Sequence, residues 1–464
     1  MDQAQLESVL KQYGQEHVMR HWSQLDENGR KALIQQVAAI DFPELLASCS
    51  GSGHGAGPDW KALAARAELP PAVRTGQPHG EFTPEQARQA GEAALKAGRV
   101  AVLLVAGGQA TRLGFSSPKG LYPVGPISEA SLFQIFCEQI LALQRRYGSA
   151  IPLYLMTSTA TDRETQEFFA KNDNFGLPAD QVFFFKQGLL PAIDAKTGKL
   201  LLAAPGQLAL SPDGHGGILE ALQQTGMYDK MVAQGIDYLF YLQVDNPLVK
   251  VCDPEFIGYH ILTRSQITAK VVAKNAPMEK VGNVVTVDGR MQIIEYSDLS
   301  ADLAERTAPD GSPIFWAGNI AVHVFDRDFI AAMTAGGRHM PLHVAHKKVA
   351  YLGDDDQPVE PTQPNAYKME RFIFDVFPEA ERVLVVETSR DDEFAPLKNA
   401  TGDSSPETVK QQIVSLARKM LTEAGAIVAT EAPVEISPLF ALDVEELRGK
   451  LTPGAQIDRP TYLK

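Results

Sequence analysis

A short apolar segment followed at once by a glycine-rich loop constrains the fold of this chain more than any other stretch. Residues 101–105 are all apolar, which predicts a strand buried on both faces of a sheet. The chain continues through Gly107, Gly108 and Gly114 to Lys119, and its glycines allow a sharp turn close to a ligand. Free backbone N–H groups and a terminal lysine favour phosphate binding there. The alternative is an ordinary connection between a strand and a helix.

Helix-like and strand-like segments alternate after this loop. The apolar spacing predicts a helix that begins after Ser131 and ends at Gly148, and another over 163–172. Further strands are predicted at 151–157, 182–185 and 237–246. This alternation is typical of a mainly parallel sheet with helices on both faces, in which ligands bind beyond the carboxyl ends of the strands. Short β-rich runs between 269 and 325 predict an additional antiparallel layer.

The patterns divide the chain into three predicted domains. Residues 1–95 form a helical N-terminal region, 96–385 the main α/β domain and 386–464 a small C-terminal domain. A glycine- and serine-rich connection is predicted at 48–58. Thr83 and Pro84 form a helix start, with Thr83 as the N-cap. We therefore expect a Rossmann-like α/β fold with helical N-terminal and small C-terminal additions.

Composition excludes several function classes. The net charge of −14 disfavours general nucleic-acid binding, which uses a basic surface. No apolar run approaches the roughly 18 residues that cross a bilayer, and we expect no membrane partner. No secretory signal is visible at the start of the sequence. The three cysteines lack metal-ligand spacing, so we expect a cytoplasmic protein.

The glycine-rich loop departs from the common nucleotide motifs. A P-loop lysine is followed by Ser or Thr, whereas Lys119 follows Pro118 and precedes Gly120. The loop also lacks Gly-x-Gly-x-x-Gly, and the next strand ends at Thr157-Ser158 without the acidic residue that a dehydrogenase uses on ribose. These departures lower the probability of an oxidoreductase.

The pattern Gly-Gly-x-x-Thr-Arg-Leu-Gly…Pro-Lys resembles the sugar-1-phosphate nucleotidylyltransferases, and later motifs narrow the likeness. In consistent order over about 95–400, the chain carries Phe185-Lys-Gln-Gly-Leu-Leu-Pro191, Pro212-Asp-Gly-His-Gly-Gly217, Val244-Asp-Asn246, Ala317-Gly-Asn-Ile320, Lys368-Met-Glu-Arg-Phe-Ile-Phe-Asp375 and Glu393-Phe-Ala-Pro-Leu-Lys-Asn-Ala400. Together they resemble the eukaryotic-type UDP-N-acetylhexosamine pyrophosphorylases, within the UTP–glucose-1-phosphate uridylyltransferase family. The resemblance implies an enzyme with a nucleotidyltransferase fold that makes a UDP-sugar and pyrophosphate from UTP and a sugar-1-phosphate.

The resemblance also implies a role for particular residues. Substrate-binding residues would be Val105, Ala106, Gly107 and Gly108 for uridine and phosphate, Gln187 for the uracil edge, Gly214 and His215 beside the nucleotide and sugar, and Gly282, Glu295 and Asn319 for the sugar. Catalytic residues would be Arg112, Lys119, Lys368 and Lys398, of which the lysines neutralise the phosphates. Asp245 would bind Mg²⁺ (or Mn²⁺). Such a hard ion, held by one or two carboxylates, can neutralise negative charge when the sugar phosphate approaches the triphosphate of UTP. The alternative for Asp245 is a helix cap or a plain turn residue.

Two positions depart from the family pattern. Ala110 replaces a frequent glycine and requires a negative φ. His215 stands where the hexosamine enzymes usually have Asn and the glucose enzymes tend to have His. Both side chains can bond a sugar hydroxyl, so an N-acetylglucosamine-1-phosphate enzyme and a UDP-glucose or broad-specificity enzyme both stay open, as does a non-catalytic nucleotide-sugar-binding protein. We expect a monomer or a homodimer.

Overall fold

The computed structural model describes residues 1–49, 59–74, 77–80, 82–335 and 340–464. The helices are α1 (Gln3–Gln12), α2 (Glu27–Ala38), α3 (Phe42–Cys49), α4 (Trp60–Arg66), α5 (Pro84–Lys96), α6 (Leu132–Tyr147), α7 (Asp162–Lys171), α8 (Ile218–Gln224), α9 (Met227–Ala233), α10 (Pro254–Leu262), α11 (Ala301–Ala304), α12 (Arg327–Thr334), α13 (Arg390–Glu393), α14 (Pro406–Glu423) and α15 (Val444–Lys450). Ser48 and Cys49 end α3, and the rest of the predicted connection at 48–58 lies outside the described residues.

The strands are β1 (Val73–Arg74), β2 (Val100–Val105), β3 (Leu153–Thr157), β4 (Val182–Lys186), β5 (Leu189–Pro191), β6 (Ile193–Asp194), β7 (Leu202–Ala204), β8 (Gln207–Leu208), β9 (Leu210–Pro212), β10 (Tyr238–Gln243), β11 (Ile267–Ala273), β12 (Gly282–Val287), β13 (Arg290–Ile294), β14 (Ala317–Asp326), β15 (His343–Lys347), β16 (Tyr351–Leu352), β17 (Pro358–Val359), β18 (Ala366–Glu370), β19 (Val383–Glu387), β20 (Ile427–Val428), β21 (Val434–Ile436), β22 (Gln456–Ile457) and β23 (Thr461–Leu463).

The chain forms two compact units. The first contains residues 1–63, 187–220 and 337–375, and the second contains 64–186, 221–336 and 376–464. Each unit is therefore assembled from three separate segments of the chain. The three predicted domains, at 1–95, 96–385 and 386–464, stay a prediction.

One large sheet organises the second unit. Its strand order is β1-β19-β11-β14-β10-β2-β3-β4, and the β12–β13 hairpin joins it through β14. Strands β10, β2, β3 and β4 are parallel to one another, which confirms the predicted mainly parallel sheet. The predicted antiparallel strands are present, and they extend this same sheet because β14 pairs antiparallel with β10 and β11.

Helix ends in this unit follow the capping signals of the sequence. Thr83 accepts a hydrogen bond from the backbone of Gln86 at the start of α5, with Pro84 in its first turn. Ser131 caps α6 in the same way, and Gly148 ends it in the left-handed conformation. These side chains satisfy backbone N–H groups that have no partner within the helix. The predicted starts of α5 and α6 are confirmed.

Helices α5 and α10 pack with their backbones in direct contact. A Cβ atom on Gly258 would lie 1.6 Å from the carbonyl oxygen of Ala87, and one on Gly91 would lie 1.9 Å from that of Pro254. Only glycine fits at either position. This contact fixes α10, and with it the segment that follows β10, against the sheet domain.

The C-terminal part of the second unit has its own small core. Helix α14 packs through Ala417 and Leu421 with Val434, Leu447 and Ile457. Two parallel strand pairs, β20 with β22 and β21 with β23, complete it. The sequence after α14 shows only a weak periodicity of apolar residues, so its strands are not apparent from the sequence.

The first unit consists of helices α1–α3 and several short strands. Its core joins Leu6 and Leu33 from the helices with Leu200, Leu342 and Met369 from the later segments. The chain reverses direction between Asp194 and Gly198, where Gly198 has φ 69° and its N–H donates to Asp194 O at 3.0 Å. Helices α1–α3 lie in the part of the chain that is predicted to be helical.

Candidate functional site

Lys119 and Asp245 meet at one edge of the large sheet. Strands β2 and β10 are parallel neighbours, and Val244 N–H bonds to Val105 O at 3.0 Å beyond their last paired residues. Asp245 follows directly, and its Oδ2 lies 3.8 Å from Lys119 Nζ, with both side chains about one-fifth exposed. The carboxyl ends of the strands thus bring one cation and one carboxylate together where ligands bind in such sheets.

The loop before Lys119 presents unused backbone donors. Ala106 is buried, and its N–H bonds to Met156 O at 2.8 Å, so that donor belongs to the sheet. The N–H groups of Gly107 and Gly108 make no hydrogen bond with any described residue, and Gly108 has open space beside its Cα atom. Ala110 has φ −95°, so its methyl group is accommodated as expected.

The irregular segment after α13 closes this edge. Leu397 N–H donates to Asp245 O at 2.8 Å, while Leu397 O accepts from Lys119 Nζ at 3.2 Å. Lys398 follows directly and is exposed. The structure therefore brings Lys119, Asp245 and the Lys398 segment together within the second unit.

A buried charged cluster lies behind Asp245. Lys270 is fully buried, and its Nζ contacts Glu393 Oε2 at 2.7 Å and Asp253 Oδ2 at 2.9 Å. These carboxylates raise the pKa of Lys270 although burial opposes them, and Lys270 in turn lowers the pKa of Asp253. Asn246 donates to Glu393 O at 2.8 Å, so the cluster fixes the chain beside Asp245. The sequence analysis gave these residues no role, although a lysine within the apolar β11 was a visible signal.

Asp253 excludes one of the two structural alternatives for Asp245, that of a helix cap, while the alternative of a turn residue stays open because Asp245 lies in a turn. Its own carboxylate caps α10, accepting from Glu255 N at 3.1 Å. Asp245 is therefore not the cap of the helix that begins at Pro254.

Three residues predicted to meet the sugar lie close together: Gly282 begins β12, Glu295 follows β13 directly, and Asn319 is on β14. Gly282 pairs with Asn319, and a Cβ atom on Gly282 would lie 3.0 Å from Glu295 Oε1. Asn319 sits at a bulge, where its Oδ1 accepts from Ala321 N at 3.0 Å. Because Tyr241 pairs with His323 in antiparallel strands, the start of β14 lies toward the carboxyl end of β10. The three residues therefore flank the same sheet edge as Asp245.

In the first unit, Gln187 and Gly214 surround a buried carboxylate. Asp213 is 3 % exposed, and a Cβ atom on Gly188, which follows Gln187 in the chain, would lie 2.4 Å from its Oδ2. Burial raises the pKa of Asp213 to about 6, against the opposing effect of Arg371. Gly214 has φ 87°, and a Cβ atom there would lie 2.4 Å from Arg371 O. Glycine is required at this position by both its conformation and its close neighbour.

His215 is held as a neutral imidazole. Its Nδ1 accepts a hydrogen bond from Ile373 N at 3.2 Å, which leaves the proton on Nε2. The ring stacks on Phe372, with centroids 5.2 Å apart. Burial lowers the pKa of His215 to about 4, and His343 adds to this shift. The group therefore offers one N–H donor at neutral pH.

Two predicted catalytic residues, Lys368 and Arg112, lie in different units of the chain. Lys368 is half-buried in the middle of β18 in the first unit, and Arg112 is exposed in the glycine-rich loop. Neither side chain has an ion pair with any described residue. Their roles stay predictions from the resemblance.

The carboxylate of Asp245, at the sheet edge, is a suitable ligand for a magnesium ion that is also bound by substrate phosphates. Within the described ranges, no group of three or more His, Cys, Asp or Glu side chains is arranged to hold a metal. Mg²⁺ bound to nucleotides commonly uses one or two carboxylates and completes its octahedron with phosphate oxygens and water. Asp245, partly exposed at 3.8 Å from Lys119 Nζ, matches that donor set.

Comparison with known proteins agrees with this geometry. The family model described as UTP–glucose-1-phosphate uridylyltransferase matches residues 69–439. The human UDP-N-acetylhexosamine pyrophosphorylase-like protein 1 is 39 % identical over 437 residues, which cover 90 % of this chain and 85 % of that protein. The UDP-N-acetylglucosamine pyrophosphorylase of Saccharomyces cerevisiae is 39 % identical over 363 residues, covering 76 % of each chain.

A solved structure extends the likeness to the whole chain. The uridine diphosphate N-acetylglucosamine pyrophosphorylase from Trypanosoma brucei superimposes with a TM-score of 0.81 at 26 % identity, covering 99 % of this chain and 98 % of that one. No helix in the described part of the chain is long and apolar enough to cross a membrane. The predicted family, fold and enzyme class are confirmed. The matched sequence and the sheet-edge site together show that this chain belongs to the UTP–glucose-1-phosphate uridylyltransferase family, whose reaction makes a UDP-sugar from UTP and a sugar-1-phosphate.

Proposed function

We propose that this uridylyltransferase uses N-acetylglucosamine-1-phosphate, or a closely related N-acetylhexosamine-1-phosphate, and releases pyrophosphate. The observation that carries the proposal is the sheet edge where Lys119, Asp245 and the unused N–H groups of Gly107 and Gly108 converge. These groups suit a triphosphate, and the relatives named above support an acetamido sugar.

The reaction requires positioning and charge neutralisation. A phosphate oxygen of the sugar-1-phosphate attacks the α-phosphorus of UTP, forming a new P–O bond while the bond to the pyrophosphate oxygen breaks. Lys119 stabilises the charge on the α-phosphoryl oxygens, and the glycine N–H groups orient the phosphates. Lys368 and Lys398 keep the phosphate-neutralising roles that the family pattern implies. No protein nucleophile is needed, since the attacking oxygen belongs to the substrate.

Asp245 is the proposed ligand of Mg²⁺ or Mn²⁺. When bound, the ion supplies Lewis-acid stabilisation of the phosphate charges. The contact of Asp245 with Leu397 and the hydrogen bonds of Asn246 hold the carboxylate at the sheet edge. Lys119, at 3.8 Å, contributes to neutralising the carboxylate before substrate arrives.

Sugar selection is the second part of the proposal. Glu295, Gly282 and Asn319 offer a carboxylate, a space without a side chain and an amide to the hydroxyl and acetamido groups. His215 favours a second candidate, a UDP-glucose or broad-specificity pyrophosphorylase. Its single N–H donor, fixed by Ile373, can make the same hydroxyl contact as the amide of an asparagine, so we favour the acetamido sugar.

Two further properties are proposed for the chain. The three cysteines are unpaired, and Cys137 and Cys252 are buried, which supports a cytoplasmic, thiol-reducing environment. A monomer or a homodimer is the proposed oligomeric state.

The test is pyrophosphate release with UTP and each of four sugars, namely the 1-phosphates of N-acetylglucosamine, N-acetylgalactosamine, glucose and galactose. We expect kcat/KM to be at least tenfold higher for an N-acetyl sugar. Equal or faster turnover of glucose-1-phosphate would establish the second candidate, and a parallel His215→Asn variant would then show whether His215 sets that preference. Absence of pyrophosphate release with every sugar, together with binding of UDP-sugar, would identify a non-catalytic binding protein.

A further inference from the structure

A buried asparagine lies at the open end of the β12–β13 hairpin. Asn283 pairs with Ile294, and this is the last pair between the two strands. Gly282 and Glu295 lie just beyond that pair, yet a Cβ atom on Gly282 would come within 3.0 Å of Glu295 Oε1. Pairing between β12 and β13 therefore does not by itself hold together these two residues, which are predicted to meet the sugar.

The side-chain amide of Asn283 supplies a connection at this point. Its Nδ2 donates to Val281 O at 3.3 Å and to Ile294 O at 3.1 Å. These carbonyls belong to the residues directly before Gly282 and Glu295. Asn283 is 0 % exposed, so its amide and both carbonyls would be left without water if the bonds were broken. Such a loss is costly, and the amide therefore fixes the backbone on both strands.

The Lys274 ammonium fixes the orientation of this amide. Lys274 is half-buried, and its Nζ donates to Asn283 Oδ1 and to Pro277 O, each at 2.6 Å. An ammonium group can only donate, so the amide oxygen must face Lys274 and the amide nitrogen must face the two carbonyls. The backbone N–H of Lys274 bonds to Trp316 O at 2.9 Å, which anchors the lysine to the segment before β14.

The loop between β11 and β12 is also held by Arg390. Arg390 Nη2 lies 2.9 Å from Glu279 Oε1 and donates to Ala273 O at 3.1 Å. These contacts use neither the Asn283 nor the Lys274 side chain. A substitution at either residue should therefore leave the loop folded.

We propose that Asn283 and Lys274 are positioning residues that hold Glu295 where it binds the sugar of the sugar-1-phosphate. The inference rests on the proposed function, in which Glu295 offers its carboxylate to the sugar. A binding group must be held within about 0.5 Å of its productive position by the residues that support it. Asn283 acts through the carbonyl of Ile294, and Lys274 acts through Asn283, so neither side chain touches the sugar.

The test measures KM for UTP and for the fastest of the four sugar-1-phosphates named above. Asn283→Asp keeps an acceptor for Lys274 but places carboxylate oxygens against the carbonyls of Val281 and Ile294. Lys274→Met keeps an unbranched side chain but removes the donor that orients the amide, and it serves as the measurement should Asn283→Asp misfold.

We expect each variant to raise KM for the sugar-1-phosphate by about tenfold, the effect of one lost hydrogen bond to a charged group. KM for UTP should stay within about twofold of the wild type. A variant that is only less stable would contain fewer active molecules, so kcat would fall while neither KM changed. Unchanged KM for the sugar-1-phosphate in both variants would overturn the inference.

Lys280→Met is the matched control, because Lys280 is exposed in the same loop. Both of its KM values should stay within about twofold of the wild type. An effect equal to that of Lys274→Met would attribute the change to the charge of the loop and overturn the inference. An effect of Lys274→Met without one of Asn283→Asp would show that Lys274 acts on the sugar directly, which also overturns it.

A Glu295→Ala variant separates this inference from the proposed function. If Glu295→Ala leaves KM for the sugar-1-phosphate unchanged, Glu295 does not bind the sugar, and that part of the proposed function is wrong. If Glu295→Ala raises this KM, the double variant with Asn283→Asp decides the inference, because residues that act through one group are not additive. The double variant should match Glu295→Ala within about twofold, and independent effects that multiply would refute the positioning role alone.

Discussion

The ammonium group of Lys119 lies 3.8 Å from the carboxylate of Asp245. The two side chains come from the ends of different segments, a glycine-rich loop and a strand, and the Leu397 backbone contacts both residues. In the proposed mechanism, these opposite charges lie close together while both stay available to substrate and metal.

Removal of the Lys119 charge should slow the chemical step. We expect Lys119→Ala to lower kcat for pyrophosphate release by about 100-fold or more, the scale of a lost transition-state charge donor. Lys171→Ala, an exposed lysine of α7, serves as the control and should behave as wild type. Full turnover by Lys119→Ala would refute the proposed mechanism.

The Asp245 carboxylate should set the requirement for metal. Chelation with EDTA should abolish activity, and added Mg²⁺ should restore it. In Asp245→Asn we expect the Mg²⁺ concentration for half-maximal rate to rise by about tenfold, because a neutral amide is a weaker ligand for a hard cation. Titration of the initial rate with Mg²⁺ measures this shift. An unchanged titration curve would exclude Asp245 as the ligand, and Asp229→Asn in α9 is the surface control.

The contact between α5 and α10 should be sensitive to a single methyl group. Gly258→Ala would place Cβ 1.6 Å from Ala87 O, a backbone atom that cannot move alone. We expect the free energy of unfolding in urea to fall by about 3 kcal/mol. Gly449→Ala provides a matched control within α15, because no atom lies within 4 Å of the added Cβ. It should be neutral or slightly stabilising, and equal effects of the two substitutions would contradict the close packing.

Acid should destabilise the second unit through His260. This ring is buried, with Nδ1 2.8 Å from Thr268 Oγ1, and burial lowers its pKa to about 3. The unfolded chain therefore binds a proton below about pH 6.5 that the folded chain does not, so stability falls as the pH is lowered. From pH 6.5 to 5.5 this histidine should contribute a loss of about 1 kcal/mol, because the unfolded chain is already half protonated at pH 6.5.

Urea unfolding at pH 6.5 and at pH 5.5 measures the slope of the free energy of unfolding against pH. His260→Asn should remove this contribution, whatever its stability at neutral pH, while the exposed His346→Asn should keep the wild-type slope. A His260→Asn slope equal to that of the wild type would show that His260 is not the group responsible.

Local patterns were sufficient to predict much of the sheet domain. The apolar run at 101–105, the Ser131 cap and the Gly148 stop each depend on near neighbours in sequence, and each appears in the structure. The strands of the C-terminal region were missed because they are two or three residues long. So short a strand cannot show the alternation of apolar and polar residues by which a strand is predicted. The bulge at Ala321 depends on pairing between β11 and β14, which no local pattern specifies.

The candidate site likewise contains residues that the sequence predicted and residues that only the folded structure reveals. Family motifs predicted roles for Lys119, Asp245 and the residues expected to meet the sugar, and the structure brings several of them to one edge of the large sheet. The buried charged residues that hold the chain beside Asp245 were not predicted, because Lys270 and Glu393 come into contact only in the folded protein. Asp213 lay within a recognised motif, yet its carboxylate is placed against Gly188 only by the packing of two separate segments.

The assembly of the first unit has a consequence for synthesis on the ribosome. The apolar faces of α1 and α2 complete their core with Leu342 and Met369, which are translated some three hundred residues later. At about 5–20 residues per second, the N-terminal helices emerge tens of seconds before these partners exist. The nascent chain therefore carries an exposed amphipathic segment through most of translation, and chaperones that bind such segments have their longest opportunity at this end of the protein.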